Sequence, residues 1–315
     1  MIKRIIEISS GPARLSIAYR QLVIERDGQE KTTVPCEDIG VLLVDQQAVT
    51  YTHAVFATLA EAGAAVVLCG ANHNPASLLL PLEGNTVQTE RFATQIQAPL
   101  PLKKRLWQAL IAAKIRMQAA VLEAATGEDA GLRALAARVR SGDPGNCEAQ
   151  AAQRYWPRLL GPDFRRRRDG PPPNLLLNYG YTVFRAAAAR ALCAAGLLPT
   201  VGIHHHNRSN AFCLADDMVE PYRPYVDWRV RRLVDGKAQI SELDRETKAA
   251  LLSLFNEVIP VGGQRSPMLL AFHSTAASLS NSFRQGEPSL SLPEGLPMAP
   301  KEEEEDEEGK ERVAP

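Results

Sequence analysis

The sequence predicts an α+β fold: a small N-terminal β-rich domain, sandwich-like with one helix, followed by a larger all-α domain. Up to about residue 80 the apolar residues fall in short, β-branched, alternating runs separated by Gly11-Pro12 and Asp27-Gly28, which is strand and turn chemistry. Beyond about residue 87 the chain turns to Ala, Leu, Arg and Gln with apolar spacing near 3.6, which is helix chemistry. The predicted boundaries are 1–80 for the β-rich domain, 87–285 for the helical domain and 286–315 for a tail.

In the first domain, strands are expected at 5–9, 14–18, 21–26, 32–35 and 39–44. A helix over 52–62 follows, stopped by Gly63, and then the fully apolar run 64–68, which reads as a strand buried on both faces. A linker is expected near 70–86. In the second domain, helices are expected at about 87–97, 101–125, 128–140, 145–156, 173–195, 210–219, 243–257 and 266–284. Residues 286–300 contain four prolines, and Glu302 to Glu308 is an unbroken acidic run. Such a segment buries too little apolar surface to offset chain entropy, so the tail is expected to be disordered.

The chain has 315 residues, 36 basic and 36 acidic, and 45% hydrophobic content, which suits a globular protein. Residues 301–315 hold eight acidic and three basic residues, leaving 33 basic and 28 acidic over 1–300, a formal charge of +5. That excess alone does not mark a nucleic-acid binder, because local clustering sets the field. One cluster exists: Arg165-Arg166-Arg167-Arg168, suited either to phosphate contact or to a solvated loop beside Asp163 and Asp169. Five cysteines without a CxxC pair point to a reducing compartment and away from a zinc ribbon. With no signal-like core and no run of 18 apolar residues, a cytoplasmic protein is expected.

Three segments carry candidate chemistry. Asp143-Pro144 reads as a helix start, Asp143 as the N-cap and Pro144 at the first helical position. Glu148 then lies near the helix start, sharing a face with Ala151, Ala152 and Tyr155. Its carboxylate suits a ligand role, or simply the helix dipole. The second segment is Gly202-Ile203-His204-His205-His206. Adjacent side chains of an extended chain point to opposite sides, so three consecutive histidines do not converge on one zinc ion; one or two face a site and the others pack or meet water.

The third is Asp216-Asp217-Met218-Val219-Glu220-Pro221-Tyr222-Arg223. In a helix Asp216 and Glu220 share a face and Pro221 ends it; paired carboxylates favour a bound cation, with an ordinary acidic surface as the alternative. Arg223 is placed for phosphate contact. Asn174, Asn178, Tyr179 and Tyr181 open an Ala-rich helix and either order the site from behind or pack in the core. Carboxylates with one imidazole suit a hard divalent ion such as Mg²⁺ or Mn²⁺, which keeps positions open for substrate oxygens.

Together, Asn146-Cys147-Glu148-Ala149-Gln150-Ala151-Ala152 with Tyr155-Trp156, Leu177-Asn178-Tyr179-Gly180-Tyr181, Gly202-Ile203-His204-His205 and Asp216 through Pro224 resemble the CRISPR-associated adaptation integrases, the Cas-one family, most of all its type II branch. The resemblance runs from the N-terminal strands to about residue 285. It implies that Glu148, His205 and Glu220 bind a catalytic Mg²⁺ or Mn²⁺, His205 being the fourth residue of the Gly-x-x-His motif. It also implies dimerisation through the β domains, assembly with the small Cas-two protein, type II neighbours such as Cas-nine, and insertion of short double-stranded DNA at CRISPR repeats. The expected reaction is transesterification, a 3′-hydroxyl attacking a phosphodiester, with Arg165, Arg166, Arg167 and Arg223 gripping phosphates. The alternatives are a free-standing metal-dependent nuclease and a non-catalytic DNA-binding scaffold. The acidic tail lies outside the family pattern.

Overall fold

The computed structural model describes residues 3–71, 75–167, 170–236 and 243–297. The N-terminal region is built from β1 (Arg4–Ile8), β2 (Ala13–Ala18), β3 (Gln21–Glu25), β4 (Thr32–Pro35), β5 (Ile39–Val44), β6 (Val49–Tyr51), helix α1 (His53–Glu61), β7 (Ala65–Cys69) and β8 (Pro75–Leu79). They form two four-stranded sheets, ordered β1-β5-β7-β8 and β4-β3-β2-β6. The first is parallel from β1 to β7 and antiparallel at β8; the second is antiparallel except where β6 joins β2.

Period two explains why β5 and β7 have almost no polar residues. Leu42, Val44 and Val66 face the second sheet and α1, in a core with Leu15, Leu22, Ile24, Val55 and Leu59. Val41, Leu43, Ala65 and Val67 face the other way, into the core of the helical region. The sandwich expectation therefore holds, with its first sheet also serving as the floor for the helices. The segment expected as linker contains β8, paired to β7.

The helical region comprises α2 (Gln88–Ile96), α3 (Leu100–Thr126), α4 (Leu132–Ala137), α5 (Cys147–Leu160), α6 (Asn174–Ala194), α7 (Cys213–Val219), α8 (Arg223–Gly236), α9 (Arg245–Leu252) and α10 (Met268–Gln285). Helix α6 lies on β5, β7 and β8, and α3 packs on α5, α7 and α8. Gly180 lets α6 and α8 touch: a Cβ there would lie 2.5 Å from Val226 Cγ1.

Three sequence expectations are corrected. Helix α8 was not foreseen, because Pro221 read as a stop and Pro224 follows three residues later. They start new turns instead: Glu220–Tyr222 is a 3₁₀ turn and Pro224 sits in the first turn of α8, where a missing N–H costs nothing. Asp143 is not the N-cap of α5. Asn146 is, with φ 52°, and the Asp143 carboxylate reaches forward to accept from the backbone N–H of Cys147 (2.8 Å) and Glu148 (3.0 Å). The helical region is not all α: β9 (Val258–Val261) and β10 (Gln264–Pro267) form a hairpin on Gly262 and Gly263, both at positive φ.

The proline-rich stretch is packed as far as residue 297. Pro293 bridges Val261, Leu292 is buried, and the Gly295 carbonyl accepts from Tyr225 Oη at 2.7 Å. Its alternating Leu290 and Leu292 supply apolar surface that the proline count concealed. The acidic run 302–308 lies outside the described residues. Among the described residues no helix is long and apolar enough to cross a membrane.

Candidate metal and DNA site

Helix α3, the start of α5, the 202–206 loop and the α7 to α8 junction meet at one place. On α3 the buried face runs Trp107, Leu110, Ile111 and Gln118, and Lys114 falls on it. Its ammonium, on a side chain only 12% exposed, lies 2.6 Å from Glu148 Oε1 and 2.6 Å from Glu220 Oε2. Glu220 Oε1 is held by Arg223 Nη2 at 3.2 Å. Burial opposes charge on Glu220, yet Arg223 and Lys114 prevail and hold its carboxyl below the usual range. Glu220 Oε2 is buried against the Lys114 ammonium.

The histidine loop is shaped by Asp217, which is fully buried. Its Oδ2 accepts from the backbone N–H of Ile203 (2.6 Å) and His204 (3.0 Å), and its Oδ1 from that of His205 (3.2 Å). Oδ1 also meets His205 Nδ1 at 2.6 Å, a contact that raises the His205 pKa. With Nδ1 engaged there, Nε2 is the ring atom left for a ligand, the usual arrangement of a metal-binding histidine. His204 instead stacks on Trp107, ring centroids 4.1 Å apart and planes 3° from parallel, and burial lowers its pKa. Gly202 makes the loop possible: a Cβ there would lie 2.2 Å from the His205 carbonyl oxygen.

The structure thus joins Glu148, Glu220 and Arg223 through Lys114, with His205 within electrostatic reach of Glu220 and of Asp216. Asp216 and Glu220 lie four apart on the helical backbone of α7 and its continuation, but Asp216 is engaged by Arg185 Nε (2.6 Å) and Asn210 Nδ2 (2.7 Å). The arginine run is not four free cations either. Arg166 is tied to Asn174 Oδ1 (3.1 Å) and Asn178 Oδ1 (2.7 Å) and lies over Tyr181, 5.2 Å from the ring centroid. Arg165 bonds the carbonyls of Pro162 and Phe164, while Arg167 is exposed; Arg168 lies outside the described residues.

Sequence reasoning missed Lys114 and Asp227, the partner that Tyr155 and Tyr181 share. The signal for Lys114 was there: a lone cation at helical spacing on an otherwise apolar face. Tyr155 Oη donates to Asp227 Oδ2 (3.0 Å) and Tyr181 Oη to Asp227 Oδ1, pinning α5 and α6 to α8. Burial pushes the Asp227 carboxyl up to about 6, although the two tyrosines oppose the shift. Arg223 lies over the same Tyr181 ring, 4.9 Å from its centroid.

Among the described residues no three His, Cys, Asp or Glu side chains stand within metal-holding distance of one another. Lys114 fills the space between the two glutamates. The donor set still fits a divalent ion: two carboxylates that already share one cation, and an imidazole oriented by a carboxylate.

Fold and site together define a two-part α+β protein with a cluster of acidic residues, histidine and arginine where its helices meet. The family model described as CRISPR associated protein Cas1 matches residues 6–257. A CRISPR-associated endonuclease Cas1 from Neisseria meningitidis serogroup C (strain 8013) is 38% identical over 289 residues, covering 90% of this chain and 94% of the relative. Among solved structures, a casposase bound to integration product superposes with a TM-score of 0.74 at 19% identity, covering 92% of each chain. A Cas6-RT-Cas1–Cas2 complex gives 0.70 at 16% identity, covering 91% of this chain and 35% of that one. The chain belongs to the Cas1 family.

Proposed function

We propose that this protein is a DNA endonuclease and integrase of CRISPR adaptation, joining 3′-hydroxyl ends of short duplex DNA to repeat borders by transesterification, with Mg²⁺ or Mn²⁺ as cofactor. Family membership and the 38% identical endonuclease support the class of activity. The observation that carries the site reading is the meeting of Glu148 and Glu220 on one cation position, beside an imidazole whose Nδ1 is committed to Asp217.

Glu148, His205 through Nε2, and Glu220 would hold the ion. When bound, it supplies Lewis acidity to the scissile phosphate and lowers the pKa of the attacking hydroxyl. The chain's own groups do the rest. Asp217 fixes the His205 ring, and Arg223, steadied by Tyr181 and Glu220, presents positive charge to a phosphate. Arg167 adds exposed charge farther out, which grips the backbone without reading bases.

The proposed working form is a homodimer assembled with Cas-two on double-stranded DNA, in a type II system beside Cas-nine. The fold shared with the casposase and the Cas1–Cas2 assembly supports this reading. A joining assay tests it, with a labelled short duplex, a supercoiled plasmid carrying leader and repeat, Mn²⁺ and Cas-two. Label is expected in the plasmid with wild type and not with Glu148→Ala. Plasmid nicking with no joined label would leave a nuclease only. DNA binding without reaction by either protein would leave a scaffold.

A further inference from the structure

We propose that Lys114 is a built-in counter-ion of this site: its ammonium holds Glu148 and Glu220 together while no metal is bound, and the entering metal must displace it. The inference rests on the metal-site reading above and concerns a residue outside the ligand set.

Glu220 is 2% exposed and Glu148 32%, so the pair is costly as two charges without a cation between them. The Lys114 ammonium supplies that cation, 2.6 Å from an oxygen of each. Arg223 does not do the same work, because it reaches only Oε1 of Glu220. Lys114 is also an incomplete partner. It has three donors and one charge for two carboxylates, whereas a divalent ion brings two charges and no directional demand. A divalent ion and an ammonium cannot share this position: both need the same two oxygens, and their charges repel. Lysine suits such exchange, being a point charge on a flexible four-carbon stem, whereas the planar fork of arginine would lock onto the carboxylates.

Two consequences follow. The acidic pair stays assembled and neutralised in the metal-free protein, so the site does not need metal to fold. Metal affinity is set below what the ligands alone would give, because each binding event breaks two ion pairs.

The test uses the full chain, with Mn²⁺ as probe. Its affinity is read from the paramagnetic resonance of free Mn²⁺ for wild type, Lys114→Gln and Glu148→Ala. In parallel, wild type is treated with an amine-acylating reagent with and without Mn²⁺, and modification at Lys114 is read by mass spectrometry. The expected results are Mn²⁺ bound about tenfold more tightly by Lys114→Gln, as removing a competing charge at contact distance requires, and faster acylation of Lys114 in wild type once Mn²⁺ is present. Unchanged acylation overturns the proposal whatever the variant does, so it stays decidable if Lys114→Gln folds poorly. Equal or weaker binding by a folded Lys114→Gln also overturns it. If Glu148→Ala binds Mn²⁺ as wild type does, the metal-site reading itself fails, and this proposal with it.

Discussion

Asp217 holds His205 at two points, its Oδ1 lying 2.6 Å from Nδ1 of the ring and 3.2 Å from the backbone nitrogen of the same residue. One carboxylate therefore fixes both where the histidine sits and which ring nitrogen faces outward. Asp217→Asn offers an amide in place of one oxygen and loses part of this grip. Mn²⁺ affinity should fall about 10- to 100-fold, as for other groups that orient a metal-bound histidine. Stability should fall by about 1–3 kcal/mol, because a buried backbone N–H is left without its acceptor. Mn²⁺ titration and urea unfolding check the two separately.

Gly202→Ala should be worse than its size suggests. The added Cβ would meet the His205 carbonyl oxygen at 2.2 Å, Asp217 Oδ2 at 3.0 Å and Cys213 Cβ at 3.0 Å, and none of these is a flexible side-chain end. The loop must shift, costing about 1–3 kcal/mol in line with other overpacked sites. Joining should fall together with the melting temperature. Gly28→Ala, in open space but at φ 70°, serves as a control whose cost is confined to its own turn and whose joining stays near wild type.

Asp227 predicts a pH dependence of stability. Its carboxyl titrates near 6 in the fold against 3.8 as its ordinary value, so the folded chain holds the proton more tightly than the unfolded one. Its contribution is full below the unfolded pKa and is lost as pH rises through about 6, by about 3 kcal/mol over some two pH units. Urea unfolding of wild type and Asp227→Asn at about pH 4.5 and about pH 7 reads it. The stability of wild type relative to the variant should fall on going to the higher pH; no change in that difference would rule this out.

The exposed and the tied arginines should behave differently. Arg167→Ala should weaken DNA binding for all sequences, reduce the salt slope by about one, and leave the melting temperature near wild type. Arg166→Ala removes bonds to Asn174 and Asn178 and the cover over Tyr181, so it should also lower the melting temperature. Equal thermal shifts in the two variants would contradict the distinction.

The parts of this fold legible in the sequence are those where one local pattern decides. Alternation gave β1 to β5, the two-sided apolar run gave β7, and helical spacing gave α3, α6 and α10. Helix α8 was not legible because Pro221 and Pro224 carry the same signal whether they end one helix or begin the next. At the site, the sequence singled out Glu148, His205 and Glu220 but paired Glu220 with Asp216. In the fold Arg185 and Asn210 claim Asp216, and no spacing rule shows partners 31 and six residues away. The choice of His205 over His204 rested on family resemblance alone. Its physical basis, Asp217 on one ring and Trp107 under the other, is tertiary.

Whether Glu148, His205 and Glu220 hold one metal ion is read from diffraction by Mn²⁺-soaked crystals with anomalous data at the manganese edge. One strong peak is expected, bounded by the Glu148 and Glu220 carboxylates and His205 Nε2, with the Lys114 side chain moved out of its position between the glutamates. A peak elsewhere, or none under conditions in which the same protein joins DNA, would contradict this assignment.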